Sequence, residues 1–239
     1  MTKNVLNQNG KYVQELINTI DTNFRFNNKP INRIKDNELK KALEGTNKQQ
    51  KLINLKNRIN SIENCNLKGS SIDPLIGNGN INSPLMIVGE APGKEEIISG
   101  QSFQGDTGLL LKKMLIAINI KIEDAYLTYT VNYRPPEDRK PSSHEIKRYA
   151  VFLKEHISII NPKLIILMGS TAMEAVTGYS GKITNERGKW KEILFKDKTI
   201  PIMITFNPSY LIRFPENKKF SWEDLKKIKK KIKELNIKI

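Results

Sequence analysis

Apolar residues follow two different rhythms on either side of residue 84. Before it they recur at three- and four-residue intervals. Val13, Leu16, Ile17 and Ile20 share one helical face, and Leu43, Leu52, Leu55 and Ile59 share the face of a second helix over 39–59. The intervening NNKPINRIKDN (27–37) reads as a linker, and NLKGSSIDPLIGNGNINS (66–83) as a loop. After Pro84 come four short runs that are apolar throughout: LMIVG (85–89), AYLTYTV (125–131), KLIILMG (163–169) and IPIMITF (200–206). Unbroken apolarity over four to eight residues predicts strands buried on both faces, as in a parallel sheet covered by helices.

Helical spacings fill the gaps. Asp106 is placed to cap a helix over 107–118, and Ser142 with Glu145 forms a capping box for one reaching Ile160. A shorter helix spans 170–176, and 178–190 is rich in turn residues. Ser221 is placed to cap a last helix whose inward face carries Trp222, Leu225, Ile228, Ile232 and Leu235. Most of its lysines, Lys226, Lys227, Lys229, Lys230, Lys231 and Lys233, fall on solvated faces. The expected architecture is α/β: a three-layer α/β/α sandwich with a central four-stranded parallel sheet over 66–239, behind a basic helical N-terminal extension over 1–65.

Charge changes the picture. Among 239 residues, 40 Lys and Arg face 25 Asp and Glu, a formal charge of +15. Such an excess suits a polyanionic partner, although a Lys-, Asn- and Ile-rich composition from an AT-rich genome produces the same imbalance. Cys65 is the single cysteine, which excludes an intrachain disulfide and a metal centre held by cysteines alone. The N-terminal residues lack the apolar run of a secretory signal, and no stretch approaches eighteen apolar residues. The expectation is a cytoplasmic protein without membrane contact.

In open α/β sheets ligands bind beyond the carboxyl ends of the strands. Four segments occupy those places: GEAPGKEE (89–96), NYRPPEDRKP (132–141), GSTA (169–172) and NPSYLIR (207–213). GEAPG is a tight turn, but it lacks the Lys-Ser/Thr of a phosphate loop. Glu90 at a strand end is suited to positioning or activating water, while a solvated loop carboxylate has the same signature. Phe103, within GQSFQGDTG, offers a ring to a base, or equally a staple to the core. Arg134, Arg139 and Lys140 surround a rigid Pro-Pro step suited to phosphates. Pro208, Ser209 and Tyr210 follow a strand in a turn able to press into a duplex groove.

In order, GEAPG, GQSFQGDTGLLL, YLTYTVNYRPPEDRKP and TFNPSYLIR resemble the uracil-DNA glycosylase superfamily, specifically its family 4, across roughly residues 65 to 230. ITNERGKW (183–190) is similar to that family's Arg-Gly-Arg-Trp stretch. The resemblance implies a monofunctional glycosylase that hydrolyses the N-glycosidic bond of a uracil extruded from single- or double-stranded DNA, acting as a monomer in base excision repair. By position it implies that Gly89, Glu90 and Ala91 line the uracil pocket and that Phe103 stacks on the base. Tyr129 stands where the family has the Asn that reads the uracil edge, and Asn207 where it has the His that donates to O2. Glu90 and Asn207 become the catalytic candidates. Arg134, Arg139, Pro208, Ser209, Tyr210 and Arg213 would face DNA.

The chain also departs from the family. Family 4 enzymes commonly hold a four-iron cluster on four cysteines, and the aligned positions here are Ile62, Cys65, Tyr133 and Tyr149. Packing would then replace the cluster, so no iron, other metal or cofactor is expected. Asn207 retains an amide donor for the anionic base. Tyr129 loses the paired donor and acceptor of an amide, and either hydrogen-bonds through its phenol or fills the recess. Two other readings therefore stand beside uracil excision: a glycosylase shifted towards other deaminated bases, and a catalytically inactive DNA-binding homologue.

Overall fold

A computed structural model of the protein describes residues 33–63, 65–68, 73–195 and 198–239. The helix expected through Val13 and Ile20 lies outside them, as does the side chain of Leu43. The chain divides into two units, Met1–Ala42 and Leu43–Ile239. The described part of the first is the start of helix α1, Arg33–Asn60. The tail of the expected linker, from Arg33 to Asn37, is thus helical, because no Gly or Pro after Pro30 stops the helix growing towards its N-terminus.

The second unit is built on a sheet with order β1-β3-β2-β4-β6-β5. Its strands are β1 (Asn78–Gly79), β2 (Leu85–Gly89), β3 (Tyr126–Tyr129), β4 (Leu164–Met168), β5 (Trp190–Phe195) and β6 (Lys198–Thr205). The four expected strands, β2, β3, β4 and β6, pair in parallel. Two antiparallel edges, β1 on β3 and β5 on β6, extend the sheet to six strands among the described residues. These edges escaped the pattern for physical reasons. β1 is two residues long, and β5 is only partly buried, so neither carries a continuous apolar run.

Side-chain alternation sends each parallel strand to both faces. Leu85, Ile87, Leu127, Ile166 and Met203 pack beneath α3 (Gly105–Ile116) and α8 (Lys218–Glu234). Met86, Val88, Ile165, Leu167 and Ile202 pack beneath α4 (Ser143–Ile160) and α5 (Ser170–Thr177). A third cluster joins Leu55 and Ile59 of α1 to Leu67, Val131, Tyr133 and Tyr149. Short helices α2 (Lys94–Ser99), α6 (Ile183–Glu186) and α7 (Pro208–Arg213) complete the chain, so the turn-rich 178–190 stretch contains one helical turn.

Of the three expected caps, Ser142 stands at its helix start. Ser142 Oγ accepts from the Glu145 N–H at 3.3 Å, and the Glu145 carboxylate accepts from the Ser142 N–H at 2.7 Å, as the capping box requires. Two other caps are misplaced. α3 starts at Gly105 behind Gln104, leaving Asp106 inside the first turn, where its charge still meets the positive end of the helix. α8 starts at Lys218, three residues before Ser221, because the 3₁₀ turn Pro215–Asn217 feeds straight into it. Its buried face holds Ser221, Asp224, Leu225 and Ile228, with Ile232 half-buried. Trp222 and Leu235 remain outside at 43% and 38% exposure. An apolar-only pattern could not register two polar residues as inward.

Between β3 and α4 sits a buried polar cluster. His156 Nε2 lies 2.9 Å from Tyr126 Oη, and its Nδ1 lies 3.4 Å from Thr128 Oγ1. Burial holds the imidazole neutral, with its pKa lowered to about 3. Below the usual value near 6.5 the unfolded chain therefore binds a proton that the folded chain refuses. Stability should fall as pH drops from 6.5 towards 3, at up to about 1 kcal/mol per pH unit. Denaturant melts between pH 6.5 and 5 on the protein and on His156→Gln should show this slope in the first and a flatter one in the second.

Candidate active site

The sheet topology decides where the loops meet. β2 is flanked by β3 and β4, so the chain leaves it first to one side and then returns across it to the other, which opens a crevice at the strands' carboxyl ends. There a cavity of about 310 Å³ is lined by Glu90 and Ala91 after β2, Tyr129 at the end of β3, Asn207 and Arg213 after β6, and Phe103. Pro92, Gly93, Glu96, Thr107, Pro135, Asp138, Arg139 and Ser209 complete the wall. The volume lies at the lower end of small-ligand pockets, roughly 300–1,000 Å³. Tyr129 therefore forms a wall and leaves a recess. Of the residues singled out in the sequence, Arg134, Pro208 and Tyr210 do not line it, and Gly89 lies beneath its aromatic wall.

The aromatic wall depends on an absent side chain. A Cβ on Gly89 would come within 2.8 Å of both Phe103 Cζ and Tyr129 Cδ1. Without it, the two rings stack with centroids 5.0 Å apart and 28° between planes. Phe103 takes a left-handed backbone with φ of 56°. That costly conformation is held by its own N–H, which donates to Tyr129 Oη at 2.8 Å. The phenol in turn donates to Glu96 Oε1 at 3.3 Å. Burial first, and then the neighbouring Glu96 carboxylate, push the Tyr129 pKa well above 10, so the proton stays.

Glu96 gathers three segments. Its Oε2 accepts from the Gly93 N–H at 2.9 Å, and its Oε1 accepts from the Gln104 N–H at 3.2 Å as well as from Tyr129. It is 7% exposed, so these donors replace its water. The sequence reading missed Glu96. Its signal was an acid three residues into a helix that follows a Gly turn, in GKEE.

Glu90 is held from the first turn of α5, where Thr171 Oγ1 donates to Glu90 Oε2 at 2.6 Å. GSTA had been marked only as a segment, and its fully buried Thr171 proves to be the contact. Asn207 serves as N-cap of α7. Its Oδ1 accepts from the Ser209 N–H at 3.0 Å and the Ser209 hydroxyl at 3.1 Å. With the carbonyl side committed, the amide Nδ2 has no acceptor among the described residues and is the free donor on that wall.

The cations behave differently from one another. Arg134 is bonded through two nitrogens to Asp138, at 2.6 Å each, and Arg139 through two nitrogens to Glu145, at 2.8 and 2.7 Å. The Arg139 pair holds the Glu145 carboxyl down at about 2. Arg213, by contrast, is exposed on the cavity rim with no carboxylate partner among the described residues. Tyr210 lies between Phe206 and Phe214, with ring centroids 4.9 and 4.8 Å away. Behind the site, Arg187 and Lys227 join the ITNERGKW stretch to α8. Arg187 Nε donates to the buried Asp224 at 3.0 Å, and Lys227 Nζ to the Gly188 carbonyl at 2.8 Å.

Ile62, Cys65, Tyr133 and Tyr149 come together in the third apolar cluster. Cys65 Sγ lies 3.3 Å from Tyr149 Oη, and Tyr133 Oη donates to Asn60 Oδ1 at 3.1 Å. Burial pushes the Tyr133 pKa up to about 12. Only one of the four side chains is a thiol. No group of three or more His, Cys, Asp or Glu among the described residues could hold a metal ion.

Residues 76–228 match the profile of the Uracil DNA glycosylase superfamily. A type-4 uracil-DNA glycosylase of Thermotoga maritima is 37% identical over 179 residues, covering 74% of this chain and 92% of the relative. Type-4 uracil-DNA glycosylases of Archaeoglobus fulgidus and Sulfurisphaera tokodaii are 29% and 32% identical. They cover 71% and 73% of this chain, and 87% and 82% of their own.

The Gly89 contacts carry a direct expectation. Gly89→Ala should drive the Phe103 and Tyr129 rings apart and destabilise the protein by about 1–3 kcal/mol, the usual range for an overpacked core. Equilibrium unfolding measures the loss.

Proposed function

The chain belongs to the uracil DNA glycosylase superfamily, in its type-4 branch, and we propose that it hydrolyses the N-glycosidic bond of uracil in DNA, leaving an abasic site for base excision repair. The observation that carries this reading is the convergence of Glu90, Phe103, Tyr129 and Asn207 on one cavity, with room for a pyrimidine base, at the carboxyl ends of the parallel strands.

Breaking the bond from C1′ to N1 leaves the electron pair on the base, spread over N1 and O2, and a cationic sugar. Asn207 Nδ2, presented by its cap, donates to O2 and stabilises the anion. Glu90, oriented by Thr171, positions the water that attacks C1′ and takes its proton. Gly89 and Ala91 bring backbone close to the base, and Phe103 with Tyr129 forms the aromatic wall against it. The Tyr129 hydrogen is spent on Glu96, so Tyr129 bounds the base by shape. Arg213, Pro208, Ser209 and Tyr210 face the DNA, joined by Arg134 and Arg139 once phosphates compete for their carboxylate partners.

The activity resides in residues 66–239, with 1–65 as a basic extension. The protein acts as a monomer on single- or double-stranded DNA in the cytoplasm. No helix among the described residues is long and apolar enough to cross a membrane. The residues at the family's cluster positions do not fit iron and sulfur. One thiol, already paired with a tyrosine hydroxyl, faces two aromatic rings and an isoleucine in a packed apolar core. Uracil excision here runs without that group.

An oligonucleotide with one uracil should be cut by alkali after incubation with the protein. Glu90→Gln and Asn207→Ala should each slow excision by about 10–1000-fold with folding intact. Strands carrying hypoxanthine or xanthine should remain whole. Intact uracil strands at high excess of folded protein would end the assignment.

A further inference from the structure

Three rings run outward from the residue preceding Asn207. Phe206 is 2% exposed, Tyr210 is half-buried and Phe214 is 44% exposed. Only Tyr210 lies within α7; Phe206 precedes its N-cap and Phe214 is its C-cap, so the rings at the two ends of the helix meet on the one inside it. The Phe206–Tyr210 planes are 27° apart and the Tyr210–Phe214 planes 37° apart. The backbone that carries the last ring is fixed twice over. Its N–H donates to the Tyr210 carbonyl at 2.9 Å, and Pro215 follows it. Among the described residues Tyr210 is its one ring partner, so its outer face meets solvent.

A singly exposed phenylalanine is ordinary. This one adjoins Arg213, which lines the cavity rim, and is followed by the exposed cations Lys218 and Lys219. A pre-positioned aromatic face, one residue from the arginine at the cavity rim and followed by two exposed cations, matches the way proteins hold single-stranded nucleic acid, where each base stacks and the backbone meets positive charge.

We propose that Phe214 is a stacking platform for the nucleobase next to the extruded uracil in single-stranded DNA. The inference rests on the glycosylase reading and adds a second base subsite to it. Because the ring is already immobilised by Tyr210, little conformational freedom is lost when a base lands on it. Stacking tolerates any base, so the subsite supplies affinity without sequence preference.

The test uses the full-length protein and a single-stranded oligonucleotide with one uracil flanked by 2-aminopurine. Phe214→Ala should weaken binding roughly five- to a hundred-fold and reduce the quenching of the bound 2-aminopurine, with unchanged thermal melting. Phe214→Trp should retain both. Binding by Phe214→Ala within about twofold of the parent overturns the proposal, as does an equal loss in Phe214→Trp. If the parent binds but leaves uracil in place, the glycosylase reading fails while the affinity comparison still decides the role of Phe214. If the parent does not bind the oligonucleotide, both fall.

Discussion

Tyr129 reaches the crevice because Gly89, paired beside it in the parallel sheet, has no side chain. The hydroxyl then does two opposite things. It accepts from the Phe103 N–H, which holds a strained backbone in place, and it donates to Glu96, which is held in turn by the Gly93 and Gln104 amides. One phenol thus ties the loops after β2 to the loop bearing Phe103. A phenol has a single hydrogen, and here it is directed inward. The tyrosine therefore has no donor left for the cavity, whereas the Asn207 amide has no acceptor among the described residues.

The net charge of +15 does not reach the site uniformly. Arg134 and Arg139 flank the Pro-Pro step, as basic residues near a phosphate path should, yet each is paired with a carboxylate a few residues further on, Asp138 in the same loop and Glu145 in the first turn of α4. The Asp138 pair spans a turn in which Glu137 and Asp138 both have positive φ, so the ion pair is tied to a backbone shape unfavourable for non-glycine residues. Arg213 is free of such a partner and stands at the rim. Of the two arginines that line the cavity, Arg139 is paired with Glu145, and Arg213 has no carboxylate partner among the described residues. Exposed pairs are worth little and are screened by salt, so a phosphate can displace them at small cost.

The parallel strands were legible because burial on both faces leaves an unbroken apolar run, and the site loops followed from the rule that ligands bind at the strands' carboxyl ends. Ser142 and Glu145 were legible because a capping box is local. What escaped was non-local. Thr171 meets Glu90 across 81 positions, and Glu96 meets Tyr129 across 33. Asp224 faces inward because Arg187 and Thr205 on distant segments donate to it, which no periodicity of apolar residues can encode. Asn207 was identified as a donor from the family pattern, but its orientation depends on Ser209 two residues later. That was readable as an Asn-Pro-Ser cap had the segment been taken as a helix start.

The third apolar cluster holds its loop in place by packing. Four cysteines around iron fix a loop by covalent coordination at short range, whereas Ile62, Cys65, Tyr133 and Tyr149 do it by filling space. Two buried rings supply large apolar areas, and each phenol finds a partner, Asn60 for Tyr133 and Cys65 for Tyr149. Tyr133 lies directly before Arg134, and Val131 of the same cluster is two residues from Tyr129, so packing here sets where both the aromatic wall and the Pro-Pro loop begin. Such a core transmits no redox state. Its rigidity depends on close packing, and a void opened at Tyr133 or Tyr149 would be felt at the cavity through the short connection from Val131 to Tyr129.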